Sequence, residues 1–269
     1  MRNKKIGKQI VKKLYLPRKS SHKGENGQLL IIGGSRHYHG SLVFMVRVAS
    51  KIVDKIHVLT TRENEAVVRK LRIRSAVFIP SYDLRHGMDL VDCVLIGPGM
   101  GTEARTKKLV AQVLRSRARA VLDADALNVL DAKLLRLLDE RHILTPHKGE
   151  FTKVFGKKPT PENAALMARK YGCTVVLKGQ VDYVATPNGD VWENHTGNQG
   201  MTKGGTGDVL AGMIAAFFCR NNALTSAASG VYLNGLAGDQ LYQKVGPYFN
   251  AEDLVEQIPK TLWKLIKNP

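Results

Sequence analysis

Residues 28–34 read QLLIIGG, and the manner in which this run ends decides the architecture. Four apolar residues in a row leave no polar face for water, so the run reads as a strand covered on both sides, halted by two glycines. Residues 40–53 follow with Leu42, Met45, Val46, Ala49 and Val53 on one side of a helical period. A doubly covered strand followed by a helix is the repeating unit of a parallel sheet. The same rhythm continues outward. Residues 55–60, 76–79, 93–96 and 120–122 read as further strands, with helices at 103–115 and 131–138 between them.

Beyond residue 143 the pattern changes. Residues 143–144 and 174–177 still read as core strands, whereas 183–185 and 191–193, separated by the turn at 187–190, read as an antiparallel hairpin. Asn188-Gly189 supplies residues that tolerate positive φ. Long helical periods close the chain at about 207–219, 223–242 and 251–266. No repeat, linker or break in composition divides the chain. The expectation is one α/β domain over residues 1–269: a mostly parallel central sheet, helices on both faces, and a β-hairpin at about 182–194.

Of the 269 residues, 43% are hydrophobic, which excludes a disordered chain. No apolar run reaches the ~18–20 residues of a membrane span, and the charged start lacks the apolar stretch of a secretion signal. Cys93, Cys173 and Cys219 are far apart in the chain, odd in number, and set beside apolar neighbours. They read as small buried thiols of a cytoplasmic protein. Lys and Arg outnumber Asp and Glu by 41 to 23, and residues 1–24 carry nine basic residues and no acid. That balance suits either a solvated basic surface or attraction to nucleotides and nucleic acid.

Residues 198–212 read NQGMTKGGTGDVLAG. Glycines let successive backbone N–H groups converge, and the helix that follows adds partial positive charge at its start, so Gly204, Gly205, Thr206 and Gly207 outline an anion hole for a phosphoryl group. An acid in such a hole repels its own ligand. Asp208 makes sense there as the base that takes a proton from an attacking hydroxyl; the alternative is a plain helix cap. Residues 95–101 (LIGPGMG) and 121–128 (VLDADALN) lie at strand ends, which face the ligand crevice in open α/β sheets. Asp125 reads as a cap for its helix, and Asp123 stands open between a cap and the water shell of Mg²⁺. In 144–150 (LTPHKGE), His147 could meet a polar group and Glu150 a metal-bound water; in 177–182 (LKGQVD), Lys178 could meet a phosphate as a point charge. His37-Tyr38-His39 lacks a third ligand for a metal site. Residues 33–40 lack G-x-G-x-x-G, and the GxxxxGK[ST] phosphate loop is absent, which disfavours hydride transfer.

Taken together, HKGENG (22–27), LLIIGGS (29–35), IGPGMG (96–101), LDADALN (122–128), TPHKGE (145–150), LKG (177–179), GNQGMTKGGTGDVLAG (197–212) and NGLAGD (234–239) resemble the ADP- or ATP-dependent NAD(P)H-hydrate dehydratases of the ribokinase-like superfamily. The resemblance covers about residues 17–265. The GGTGDVLAG stretch is shared with many ribokinase-like kinases; HKGxxG with TPHxGE narrows the match. It implies repair of the hydrated dinucleotides NADHX and NADPHX, with ADP or ATP as co-substrate, Mg²⁺ as cofactor, and a tetramer. By motif position, Ser41, Gly101, His147 and Asp208 fall where the family contacts the hydrated dinucleotide. Lys178, Gly179, Gln180, Val181 and Asp182, with Gly207, fall where it contacts the adenine nucleotide. Stand-alone microbial members lean toward ADP.

The chain departs from the family's usual pattern at Ser41 for Ala, Lys148 for Pro, Gln199 for Pro and Asn234 for His. Too few residues precede the 28–32 strand for the family's fused epimerase domain, so an epimerase of the same pathway is expected as a separate protein. A hydroxyethylthiazole-type kinase with the same loop chemistry, and a basic nucleic-acid-binding protein on the same fold, are the competing readings.

Overall fold

The computed structural model describes residues 4–73, 75–80 and 83–267. Ten strands appear in chain order: β1 (Lys4–Lys5), β2 (Gln28–Ile32), β3 (Lys55–Leu59), β4 (Ala76–Phe78), β5 (Cys93–Ile96), β6 (Arg119–Leu122), β7 (His142–Leu144), β8 (Thr174–Leu177), β9 (Asp182–Ala185) and β10 (Val191–Asn194). Between and after them run α1 (Lys8–Val11), α2 (Gly40–Ala49), α3 (Arg62–Lys70), α4 (Leu84–Asp89), α5 (Ala104–Arg115), α6 (Asp125–Asn128), α7 (Ala132–Leu135), α8 (Lys148–Phe155), α9 (Pro161–Tyr171), α10 (Thr206–Phe218), α11 (Ala223–Val245) and α12 (Ala251–Lys267).

The strands form one sheet in the order β1-β10-β9-β8-β7-β6-β5-β2-β3-β4. Every pairing is parallel except those of β9, which runs against both β8 and β10. Alternation within the buried strands feeds two cores. Leu29, Ile31, Cys93 and Leu95 point to the face covered by α2, α10, α11 and α12; Leu30, Ile32, Val94 and Ile96 point to the face covered by α5 through α9. The expected mostly parallel sheet with helices on both faces is what the chain forms, because strands apolar at every position can be satisfied in no other way.

The hairpin lies where expected, and its turn is closed by Thr186 N donating to Asp190 O (3.0 Å) and Gly189 N to Thr186 O (2.8 Å). Only Gly189 takes positive φ, at 83°; Asn188 does not use its tolerance for it. The helix expected over 40–53 stops at Ala49, and that over 131–138 shrinks to Ala132–Leu135. The cysteines are free and buried as expected, with the Cys219 thiol directed at the Gln28 and Ala215 carbonyls (3.5 and 3.4 Å). At the sheet's outer edge, β1 is two exposed lysines paired with Trp192 and Glu193 of β10. No helix among the described residues is long and apolar enough to cross a membrane.

Candidate active site

The chemistry-bearing residues gather at the carboxyl ends of β6, β7 and β8, where α2 and α10 also begin. Gly205 takes the left-handed conformation (φ 93°) that turns the chain into α10. A Cβ there would lie 2.4 Å from the Phe44 ring and 2.9 Å from Ala251 Cβ, so only glycine fits. The Thr206 hydroxyl is turned into the protein, donating toward Met201 O and Lys203 O (2.7 and 3.0 Å). Thr206 therefore offers a ligand its main chain, not its side chain. Among the described residues, no acceptor in the protein receives the N–H groups of Gly205, Thr206, Gly207 and Asp208. Unmatched amides converging at a helix start are an anion hole.

Asp208 is the third residue of α10, three places past Gly205, which holds the cap position, and makes no cap bond. The cap reading of this residue is thus corrected. Its carboxyl bonds Ser41 at the start of α2, and its pKa is raised to about 6: burial is the main cause, the nearby Asp123 carboxylate adds to it, and Ser41 and Lys178 oppose it. A carboxylate poised near neutrality is suited to accept a proton.

Beside it stands a charged network in which Lys178 meets several acids. Lys178 Nζ donates to Asp123 Oδ1 at 2.8 Å, and the Thr145 hydroxyl donates to the same oxygen at 2.8 Å. Burial alone would lower the Lys178 pKa, but the Asp123 and Glu150 carboxylates outweigh it and hold the ammonium charged. Burial raises the Glu150 pKa, with Asp123 adding to it. Lys178 Nζ lies 3.8 Å from the point a Gly207 Cβ would occupy, which sets its charge against the free amides. Asp123 is therefore neither a cap nor isolated; it anchors the lysine.

Asp125 does different work from that expected, and His147 has a structural task that the spacing did not reveal. Asp125 caps nothing on α6; its Oδ2 accepts the Gly101 amide at 2.8 Å and ties down the 97–101 loop. His147 caps α8: its Nδ1 accepts from Gly149 N and Glu150 N (3.0 and 3.2 Å), while Glu150 Oε2 accepts the His147 amide at 2.8 Å. This reciprocal capping box assigns the ring proton to Nε2, which lies 3.5 Å from Glu150 Oε1. Glu150 has one oxygen committed in the same box.

The 178–182 turn is closed by Asp182, whose Oδ1 accepts from Gly179 N (3.0 Å) and Oδ2 from Asn194 Nδ2 (3.1 Å). Lys178, Gly179 and Asp182 join Thr206 and Gly207 in lining a cavity of about 150 Å³ that extends to Leu210, Val231 and Asn234. Gln180 and Val181 are not among its lining residues, and Gly204 stands exposed with nothing within 4 Å of a Cβ. A second, larger cleft of about 440 Å³ runs over residues 33–38, Thr60, Thr61 and residues 100–105, and contains Gly101. The HKGENG loop lies at the opposite end of the sheet, wrapped on Asp54, which accepts from Gly24 N and Asn26 N (2.8 and 3.1 Å). It braces the start of β2 and takes no part in the site. Among the described residues, no three His, Cys, Asp or Glu side chains converge as a metal cage.

The family model described as NAD(P)H-hydrate dehydratase matches residues 29–260. The chain is 34% identical to the ADP-dependent (S)-NAD(P)H-hydrate dehydratase of Cenarchaeum symbiosum, covering 96% of each chain. It is 36% identical to the bifunctional NAD(P)H-hydrate repair enzyme of Methanocaldococcus jannaschii, covering 90% of this chain and 49% of that one; it spans about half the length of such two-function relatives. In structure it is similar to the ADP/ATP-dependent NAD(P)H-hydrate dehydratase of Bacillus subtilis co-crystallized with ATP and Mg²⁺, with TM-score 0.85, 26% identity, and coverage of 98% and 99%.

Proposed function

The chain belongs to the NAD(P)H-hydrate dehydratase family, and on that premise we propose that it returns (6S)-NADHX and NADPHX to NADH and NADPH, converting ADP to AMP or ATP to ADP with release of phosphate. The observation that supports the reading best is Asp208, its carboxyl raised to about 6, at the mouth of a loop whose amides have no partner among the described residues.

In this mechanism the hydroxyl of the hydrated ring attacks the terminal phosphorus as Asp208 takes its proton. The free amides of residues 205–208 and the Lys178 ammonium hold the transferring phosphoryl group and the oxygen that departs with the nucleotide. Ring-nitrogen electrons then expel the phosphate by breaking the carbon–oxygen bond, and loss of a ring proton restores the dihydronicotinamide. Ser41 orients Asp208. The larger cleft beside Gly101 is of a size that suits the dinucleotide, and His147 Nε2–H is a donor for it. Lys178 through Asp182, with Gly207, bind the nucleotide.

Mg²⁺ fits this donor set. Asp123, Glu150 and Asp208 surround the Lys178 cation and offset its charge, so a polyphosphate needs further positive charge. Mg²⁺ characteristically takes one or two carboxylates and completes its shell with phosphate and water. Glu150, through water, is the residue proposed to hold it, and the ion would neutralise charge on the phosphates. The protein is proposed to act in the cytoplasm as a homotetramer, with a separate epimerase supplying the reactive epimer.

Incubation of the purified protein with NADHX and Mg²⁺, with ADP and ATP in turn, tests this reading. Recovery of NADH absorbance dependent on nucleotide is the expected result. Nucleotide hydrolysis driven by a small alcohol, with no NADH recovered, would assign the chain to kinase chemistry. Salt-sensitive binding of DNA or RNA without turnover would point to the nucleic-acid reading.

A further inference from the structure

The NGLAGD segment, residues 234–239, is spent almost entirely on drawing the 196–201 segment against α11. A Cβ on Gly235 would fall 2.3 Å from the Thr196 hydroxyl and 2.5 Å from its backbone, and one on Gly238 2.3 Å from Met201 Sδ. Both positions must be glycine for the two segments to meet. Asp239 accepts from Gly197 N at 3.0 Å and from Asn198 Nδ2 at 2.9 Å. Asn234 has no such task. The residue is 6% exposed, its Oδ1 is buried with no hydrogen-bond partner among the described residues, and nothing among them bonds its Nδ2.

A buried amide left unpaired is costly, and natural proteins rarely keep one without a use. Asn234 lines the same cavity as Lys178 and Gly207, together with Met201, Leu210 and Val231. The lining is thus of two kinds: an ammonium with free amides, suited to phosphate, and an apolar set around one uncommitted carboxamide, suited to a flat ring with polar edges.

We propose that Asn234 reads the base of the nucleotide, accepting a hydrogen bond from the exocyclic amine of adenine and donating to the adjacent ring nitrogen. A carboxamide matches that donor–acceptor edge of adenine in a bidentate fashion. Along the edge formed by N7 and the 6-substituent, a 6-oxopurine presents two acceptors, which a carboxamide in neither orientation can satisfy together, so adenine is selected over hypoxanthine and guanine. The proposal rests on the reading of this cavity as a nucleotide site.

Calorimetric binding of ATP and of ITP to the purified full chain tests it, alongside NADHX repair with ATP. Wild type is expected to bind ATP about tenfold or more tightly than ITP, the usual worth of a bidentate base contact. Asn234→Leu is expected to bring the two affinities within threefold, by weakening ATP and sparing ITP. Asn234→Ser, smaller than asparagine and free of overlap, gives the same readout should the leucine prevent folding. Equal affinities in wild type, or an unchanged ATP preference in a folded variant, overturns the proposal. Repair activity without base preference would leave the dehydratase reading intact and remove this one; Asn234-dependent preference for ATP without repair would do the reverse.

Discussion

Two glycine-rich loops sit at the same end of the sheet, and they use their backbones in opposite ways. In the 97–101 loop the glycines at 97, 99 and 101 all take positive φ, and among the described residues three of its four amides are consumed inside the protein: Gly97 N by Ile32 O, Met100 N by Gly97 O, and Gly101 N by Asp125, with Gly99 N left over. In the 204–208 loop only Gly205 takes positive φ, and the amides from Gly205 to Asp208 are left unmatched by the protein. Glycine content alone therefore does not mark an anion site. The first loop is glycine-rich because packing demands it; the second opens a helix and leaves its donors outward. The distinguishing quantity is where the N–H groups go.

Exchanging the two kinds of glycine gives the sharpest contrast. A Cβ on Gly97 would lie 1.9 Å from Asp123 O and 2.8 Å from Ala126 N, both backbone atoms. Gly97→Ala is expected to prevent accumulation of folded protein, read by soluble yield and circular dichroism; a folded, active variant would show that this loop has slack the contacts deny. Next in size is Asp208→Asn, which keeps the shape and removes the base. Turnover should fall by roughly two to four orders of magnitude, with nucleotide affinity largely kept. Near-normal turnover would reduce Asp208 to a structural residue and erase the chemical distinction between the loops.

The pH profile sharpens the same point. Asp208 must be ionised to accept a proton, and its pKa is raised to about 6. Activity should thus fall about tenfold per pH unit below that value and level off above it, and Asp208→Asn should lose this limb. Variants in the 97–101 loop should retain it. Asp125→Ala removes the partner of the Gly101 amide and should cost about 1–2 kcal/mol of stability, seen as a lower melting temperature together with a several-fold higher KM for the hydrated dinucleotide. Smallest of all, Gly204→Ala should shift stability by no more than about 0.5 kcal/mol, because nothing lies within 4 Å of its added carbon.

The sheet was legible in the chain because its strands are apolar at consecutive positions, a pattern that permits one kind of burial. α3 escaped because RENEAVVRK buries only Asn64 and Val68, too narrow a stripe to read as a helix. α9 escaped because its buried side is Ala164, Ala165, Met167 and Ala168, weakly hydrophobic and without aromatic or leucine anchors. α8 was hidden by a histidine acting as its cap; Ser, Thr, Asp and Asn are the residues from which a start is usually read. In the candidate site, the glycine loop and Asp208 could be read from local spacing. The Lys178–Asp123 pair could not, since it joins residues 55 positions apart that meet only once β6 and β8 flank β7. Asp125 misled for a related reason: its partner, Gly101, belongs to another loop.

One end of the sheet has a bearing on how copies of the protein behave at high concentration. A ten-stranded sheet exposes two rims of unpaired backbone, and such rims recruit strands from other molecules. At the β1 rim the last strand is a dipeptide, Lys4–Lys5, with Lys4 held by Asp190 at 3.0 Å and lying 5.2 Å from the centre of the Trp192 ring. Two molecules approaching rim to rim there would confront four lysines. Part of the chain's large excess of positive charge thus works as a guard against lateral polymerisation.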